Sequence, residues 1–490
     1  MRTLRASRAA PWALALALTL PFAAAGSTAT ASAASVRPLT TGISNIYSNE
    51  AAAFSHVRQS GSTMALSPLR WNAIAPSKLP ASWNPEDPGD PNYEWKFFDD
   101  WIRRAVQAGL TPVLQIRGAP RWAERCVPSP SGEAVCDPDP AAFAAFTKAA
   151  VRRYSGNFNG LPRVRYWEGM NEPNLSIFFE PQFEGDQPVS PTLYRTLLNT
   201  FYATVKAIEP SNLVLAPGLG PIAVPKYTVG PMRFTRLLLC MKGNRNPHPT
   251  KGDCEGGVHF DIFDIHPYTT GRPTHEGGPN DVEMGDLAKL QRLLAAANEA
   301  HRIRGAFKRT PLWITEFSYD SKPPDPGGLP MKIESQWTAE ALYQAWSHRV
   351  STFMWYSLDD SEPEPNVPFN ISLQSGLYFW APTAAQEQPK EAMYAFRFPF
   401  VAFRQRTGLE YWGRTPNSRG GKIVLQVSQG GRWRKLASAR ADSAGIFRGF
   451  VKTDFGKKHR KGAVRARFGK ESSPAFPMRR AGDFPQPPFG

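Results

Sequence analysis

Residues 166–174 read Tyr166-Trp167-Glu168-Gly169-Met170-Asn171-Glu172-Pro173-Asn174. A short apolar run, Val164 to Trp167, delivers two carboxylates and an amide to a proline that stops it. A polar cluster at the end of a strand-like segment gains meaning where many such ends meet. The rest of the chain is therefore read for segments of the same kind.

Seven more short apolar runs read as strands: Thr41 to Ile43, Thr63 to Ser67, Pro112 to Ile116, Leu213 to Ala216, Ile262 to Ile265, Leu312 to Thr315 and Thr352 to Tyr356. Helical segments lie between them. Phe97, Phe98, Trp101, Ile102, Ala105 and Val106 form one apolar stripe at a 3.6-residue period. Asp139-Pro140 and Ser190-Pro191 each offer an N-cap followed by proline at the first helical position, for helices running to about Tyr154 and Glu209. A last helix is expected over Lys390 to Phe403. Parallel strands need crossovers and eight of them close a sheet, so the alternation predicts a (β/α)8 TIM barrel. An open doubly wound sheet is the alternative, but it calls for a glycine-rich phosphate loop after its first strand, which the sequence lacks.

After Thr407-Gly408 the pattern becomes alternating, as in Lys422 to Val427, Trp433 to Leu436, Ile446 to Phe450 and Val464 to Phe468, with Gly420-Gly421 and Gly430-Gly431 as turns. This predicts a small antiparallel β-sandwich-like domain over residues 406–480, behind a barrel over 36–405, with a disordered tail at 481–490. The net charge of the 490-residue chain is +16. From Arg404 onward there are about 20 Lys and Arg against about 5 Asp and Glu, so nearly all the excess sits in this last region. It reads either as a solvated appendage or as an attachment to acidic glycan or cell envelope. Nucleic acid is disfavoured because no nucleic-acid-binding motif is present. Tyr411-Trp412-Gly413-Arg414 and Trp433 form either a sugar-binding face or packing within the region and against the barrel.

At the other end Arg2, Arg5 and Arg8 precede an apolar run from Trp12 to Ala25, and Ala31-Ser32-Ala33 supplies an A-x-A cleavage site. Residues 1–33 thus read as a secretory signal peptide. The run is shorter than the roughly 20 residues a spanning helix needs, so the cleaved protein is expected outside the cell with no transmembrane segment. Four cysteines suit two disulfides in such a chain. Of the three possible connectivities the local one, Cys126 with Cys136 and Cys240 with Cys254, closes two short loops. No C-x-x-C pair or H-E-x-x-H helix suggests a metal.

In a barrel the C-terminal strand ends converge on one mouth. Glu172 follows the fourth strand and Glu316 the seventh, 144 residues apart in sequence, and the closure lets them face each other. Two carboxyl groups so held suit glycoside hydrolysis, one protonating the leaving oxygen and the other attacking the sugar or activating water. Taken singly, each reads equally well as a salt-bridged surface glutamate.

The order of motifs adds a resemblance. Arg70 to Pro76, Pro120-Arg121-Trp122, Trp167 to Asn174, Asp264-Ile265-His266-Pro267-Tyr268, Trp313 to Phe317 and Phe353 to Ser357 resemble, in sequence order, the retaining (β/α)8 glycoside hydrolases of clan A, and within them families 5 and 39. The resemblance spans residues from about 41 to 403. It implies Glu172 as acid/base, Glu316 as nucleophile, Asn171 on the sugar 2-hydroxyl, Tyr268 and His266 orienting the carboxylates, and Trp355 under the reacting sugar. It implies no metal or organic cofactor, a poly- or oligosaccharide substrate, and a non-proline cis peptide after Trp355. Trp122 and Trp380 read as sugar-stacking or core residues, and Glu168 as a buried partner in the site wall. One departure stands out. Relatives often carry an arginine at the end of the second strand to keep the nucleophile ionised, and here Ala65 takes that place, with Arg70 displaced further along. Hence a catalytically silent glycan-binding barrel, or a transglycosylase, remains open beside the hydrolase.

Overall fold

The computed structural model describes residues 36–129, 133–251, 254, 256–363, 373–429, 431–453 and 462–478. The expected signal peptide and the 481–490 tail lie outside them. Residues from Arg37 onward form one compact unit.

Eight strands close a parallel barrel: β1 (Thr40–Ser44), β2 (Met64–Arg70), β3 (Thr111–Arg117), β4 (Tyr166–Gly169), β5 (Leu213–Leu219), β6 (Ile262–Ile265), β7 (Leu312–Ile314) and β8 (Val350–Tyr356), each paired with its neighbours in sequence and β8 with β1. Every strand read from the sequence is present. Helices follow them in turn: α1 (Ala51–Gln59), α2 (Lys96–Gln107), α3 (Pro140–Arg153), α4 (Ser190–Ile208), α5 (Pro231–Leu238), α6 (Leu287–Glu299), α7 (Met331–Ser347) and α8 (Glu391–Arg397). The Asp139 carboxylate caps α3, accepting from the Ala141 and Ala142 amides. Ser190 does not cap α4. It lies inside the helix, and its hydroxyl donates instead to Gln182.

Strand alternation sorts side chains into two cores. Met64, Leu66, Val113, Leu213, Leu215, Ile262, Trp313 and Met354 pack together inside the barrel. Gly42 of β1 leaves them room, since a Cβ there would lie 3.0 Å from Met354 Cγ. Their neighbours on the strands, such as Trp167 and Trp355, face outward into the helix layer and belong to the larger core. Two residues beyond the inner apolar layer the barrel turns polar, with Gln115 on β3, Glu168 on β4, Asp264 on β6 and Thr315 just past β7, all fully buried. They form the floor of the mouth.

The last helix is shorter than the expected Lys390 to Phe403. It stops at Arg397, because Phe400–Gln405 is drawn into β9, which pairs antiparallel with β10 (Gly408–Arg414). The β region therefore starts at about Phe400, before residue 406. β10 also pairs with β13 (Ile446–Lys452), and a second sheet joins β11 (Gly421–Gln429), β12 (Arg432–Ala441) and β14 (Ala463–Phe468) in the order β12-β11-β14. The region is fastened to the barrel. Trp412 packs on Tyr343 and Trp346 of α7. Arg414, fully buried, donates to the Leu39 and Phe396 carbonyls and to the Thr41 hydroxyl.

Both disulfides follow the local pairing, Cys126–Cys136 and Cys240–Cys254, with Cα atoms 5.2 and 6.0 Å apart. Among the described residues no helix is long and apolar enough to cross a membrane.

Candidate active site

Glu172 and Glu316 meet at the mouth, both buried. His266, the first residue past β6, joins them: its Nδ1 lies 2.9 Å from Glu172 Oε1 and 3.7 Å from Glu316 Oε2. One carboxylate oxygen of each glutamate and this ring nitrogen all lie within 4.8 Å of one another. The chain reaches the site through an uncommon backbone. Met170 and Glu172 have φ of 68° and 41°, the left-handed region that a non-glycine residue enters only where surrounding contacts hold it. Those contacts are present: the Glu172 amide donates to the Gly218 carbonyl, and the Asn174 side chain exchanges two hydrogen bonds with Gly220, tying the loop after β4 to the loop after β5.

Beneath the glutamates runs a continuous polar chain. Gln115 Nε2 donates to Glu168 Oε1 at 3.0 Å and to Asn171 Oδ1 at 3.1 Å, which turns the Asn171 amide nitrogen outward. The Thr315 hydroxyl donates to Asp264 Oδ2 at 2.5 Å. Its single proton is thereby used, so the 3.0 Å contact from Thr315 Oγ1 to His266 Nε2 requires an Nε2–H donor. In the neutral ring Nδ1 is then an acceptor, placed to receive a proton from the Glu172 carboxyl group. Glu168 and Asp264 sit close together, each with one carboxylate oxygen that has no partner. Gly218 makes that spacing possible: its φ is +56° and a Cβ would fall 2.4 Å from Glu168 Oε1. Burial raises the Glu168 pKa far above the carboxylate range and lifts Asp264 to about 6, which favours a proton shared by the pair.

The two mouth glutamates have unlike surroundings. Burial pushes Glu172 up to about 8, opposed only by the Arg117 guanidinium. Burial also raises Glu316. The adjacent His266 ring, Arg117 and a 3.2 Å hydrogen bond from the Tyr268 hydroxyl to Oε2 work the other way, favouring its ionised form. Both carboxyls are thus raised, but Glu316 has more groups around it that favour the charged form than Glu172 has.

Arg117 was not among the residues picked from sequence. It ends β3 facing inward, directly beside Arg70 in register on β2, and is buried with its Nε lacking a partner. Arg70 itself is half exposed and pairs with Glu133 at 3.1 Å. The arginine missing from the second strand is thus replaced from the third. The available signal was a cation two residues after Gln115 on the inward parity of an apolar strand.

Of the other expected residues, Asn171 borders a small cavity with Arg70, Asn72 and Arg117. Trp355 does not reach the mouth. It is wholly buried outside the barrel wall, against Phe317 and Phe396, with Nε1 donating to the Ser375 carbonyl. Tyr356 follows it and points inward, its hydroxyl 3.2 Å from that of Tyr47. The non-proline cis peptide lies after Tyr356 rather than after Trp355. Trp122 is half buried in an aromatic cluster with Trp71 and Trp83, its Nε1 bonded to the Pro76 carbonyl. Among the described residues, the side chains placed to share a cation are Glu168, Asp264 and His266, and Glu172, His266 and Glu316. The hydrogen bonds above already engage them.

No protein-family model matches the chain, and no curated protein matches it in sequence. Solved structures match it in shape. A family 39 glycoside hydrolase from Bacteroides cellulosilyticus WH2 superposes with a TM-score of 0.52 at 17% identity, covering 85% of this chain and 79% of that one. A family 39 β-xylosidase from Caulobacter crescentus gives 0.51 at 16%, covering 80% and 83%. The family 39 enzyme from Xanthomonas axonopodis pv. citri gives 0.50 at 14%, covering 85% and 93%. The chain shares the barrel fold of these family 39 glycoside hydrolases.

Proposed function

We propose that the protein is a secreted retaining glycoside hydrolase acting on β-linked glycosides. The observation that carries this is the spacing of Glu172 and Glu316, whose nearest oxygens lie within 4.8 Å. Retaining enzymes hold their carboxyls about 5–5.5 Å apart, whereas inverting ones need about 6.5–9.5 Å to admit water between them.

Glu316 attacks the anomeric carbon while the bond to the leaving oxygen breaks and the Glu172 proton passes to that oxygen. A glycosyl ester on Glu316 results. Glu172, now a carboxylate, takes a proton from water. The hydroxide attacks the same carbon and frees Glu316, and two inversions leave the configuration retained. Asn171 offers its outward amide to the sugar 2-hydroxyl, Tyr268 steadies Glu316, and His266 keeps the Glu172 proton in place until the leaving oxygen arrives. Arg117 supplies the charge that favours an ionised nucleophile. Its presence weakens the ground for a silent binding barrel, which rested on the missing second-strand arginine.

The Caulobacter crescentus neighbour is a β-xylosidase and a Croceicoccus marinus neighbour a glucosidase, so aryl β-xylosides and β-glucosides are the first substrates to try, beside xylan, mannan and β-glucan. Turnover by wild type and its loss in Glu172→Ala and Glu316→Ala, with a β-configured first product by NMR, is the expected result. A chain that binds these glycans while wild type and variants alike release no sugar overturns the reading.

A further inference from the structure

The β12-β11-β14 sheet has one face turned away from its core. Ile423, Leu425, Val427, Val464 and Ala466 point inward and are buried, so Lys422 and Gln426 of β11 and Arg465 and Arg467 of β14 point the other way. Register places Arg440 opposite Lys422, Lys435 and Arg465 on either side of Gln426, and Arg467 next to Val424. Five cations thus share this face. The three strands contain seven Lys and Arg and no Asp or Glu.

Nor are these loose surface chains. Arg465 stacks on Trp433, its Cζ 4.2 Å from the ring centre, and its Nε donates to Gln426 Oε1 at 2.9 Å. Arg467 Nε donates to the Gly469 carbonyl at 3.0 Å. Both guanidinium groups are held by the inner nitrogen, and among the described residues their terminal nitrogens meet no carboxylate. That is the geometry in which arginine grips a planar anion with two parallel hydrogen bonds. Trp433 is occupied by Arg465 and is not free to stack on sugar.

We infer that this face binds a polysaccharide carrying carboxylate or sulfate groups along its chain, holding the barrel against such a polymer. Arg465 and Arg467 lie about 7 Å apart along β14, Lys422 and Arg440 about 5 Å apart across one strand pair, and Lys435 and Arg465 about 10 Å apart across Gln426, a spread of charge that suits a repeating anion rather than a single small one. The choice of polysaccharide over other polyanions rests on the glycosidase reading. The binding itself does not.

The test is affinity electrophoresis of the full mature chain through gels containing polygalacturonate, heparin, neutral dextran or duplex DNA, at two salt concentrations. Expected are retardation by polygalacturonate or heparin and not by dextran, weakening with salt, and at least a tenfold loss of affinity in Arg465→Gln/Arg467→Gln. A second pair, Lys422→Gln/Arg440→Gln, should lose affinity similarly, and Lys332→Gln, remote on α7, should lose none. Circular dichroism of each variant checks that it is folded. Absence of retardation by both acidic polysaccharides, affinity unchanged in both folded pairs, or tenfold tighter binding to DNA overturns the proposal. None of these readouts uses turnover, so failure here and failure of the glycosidase reading are separately visible.

Discussion

His266 Nε2 lies 3.0 Å from the Thr315 hydroxyl, a contact that fixes which ring nitrogen carries hydrogen. Removing the hydroxyl with Thr315→Val frees the ring to protonate at Nδ1 and donate to Glu172. That would stabilise the Glu172 carboxylate and lower its pKa. The alkaline limb of kcat/KM should then move to lower pH, and kcat/KM at neutral pH should fall by about 5- to 100-fold, the worth of one buried hydrogen bond to a charged network. Thr315→Ser should restore both. Nitrogen NMR of the free wild-type protein should show His266 as the Nε2–H tautomer, and a Nδ1–H signal would refute the scheme.

With Glu172 held near 8 by burial, activity should decline as pH rises through that value, because the acid loses its proton. Glu172→Gln should abolish this limb and cost about 10²- to 10⁴-fold for poor leaving groups, much less for activated aryl glycosides. Added azide should rescue Glu172→Ala on the activated substrates.

Arg117 lowers both glutamates. Its replacement by methionine should raise both, moving the acid and alkaline limbs of kcat/KM together to higher pH by about one unit. A profile that loses height without moving would show Arg117 to be a scaffold residue only.

Lys390 is wholly buried beneath the loops after β7 and β8, bonded to Asp360, Ser321 and the Gln374 carbonyl, with Glu334 and Asp320 nearby. Lys390→Met should cost about 3–5 kcal/mol by stranding the carboxylates. Burial raises Glu334 to about 8, Asp320 to about 7 and Asp360 to about 6. Between the ordinary carboxylate range and pH 8 the folded protein therefore binds more protons than the unfolded one, and stability falls as pH rises. Thermal melts from pH 5 to 8.5 should show a declining Tm, with a shallower decline in Glu334→Gln.

Tyr356 and Trp355 should separate by phenotype. Tyr356→Phe should raise KM by about 2- to 10-fold with little change in Tm. Trp355→Ala should cost about 3–5 kcal/mol of stability through its buried ring.

That last pair also shows where sequence reading reached its limit. All eight strands were legible, because apolar runs bounded by turns announce themselves, and so were Asn171, Glu172, His266, Tyr268 and Glu316, which stand just past strand ends. The side on which a residue points was harder. A strand with two buried faces offers no polar alternation, so Val350–Tyr356 carries no mark of which parity faces inward, and the aromatic one residue too early was chosen. Arg117 was less legible because it stands on the third strand, whereas the resemblance places the cation on the second. The end of α8 is marked in the sequence by Pro399, which stops a helix at the residue before it, and the apolar run Phe400 to Phe403 beyond it suits the strand that β10 pairs with.

Arg414 carries a consequence for the molecule's history. By gripping the chain at Leu39 and Thr41, where β1 begins, and at Phe396 in the last turn of α8, it makes the basic region a clasp on the seam where the barrel's first and last elements meet. Two parts joined so cannot be exchanged like beads on a string. A lineage that discarded the clasp would have to find another donor for the buried Leu39 and Phe396 carbonyls.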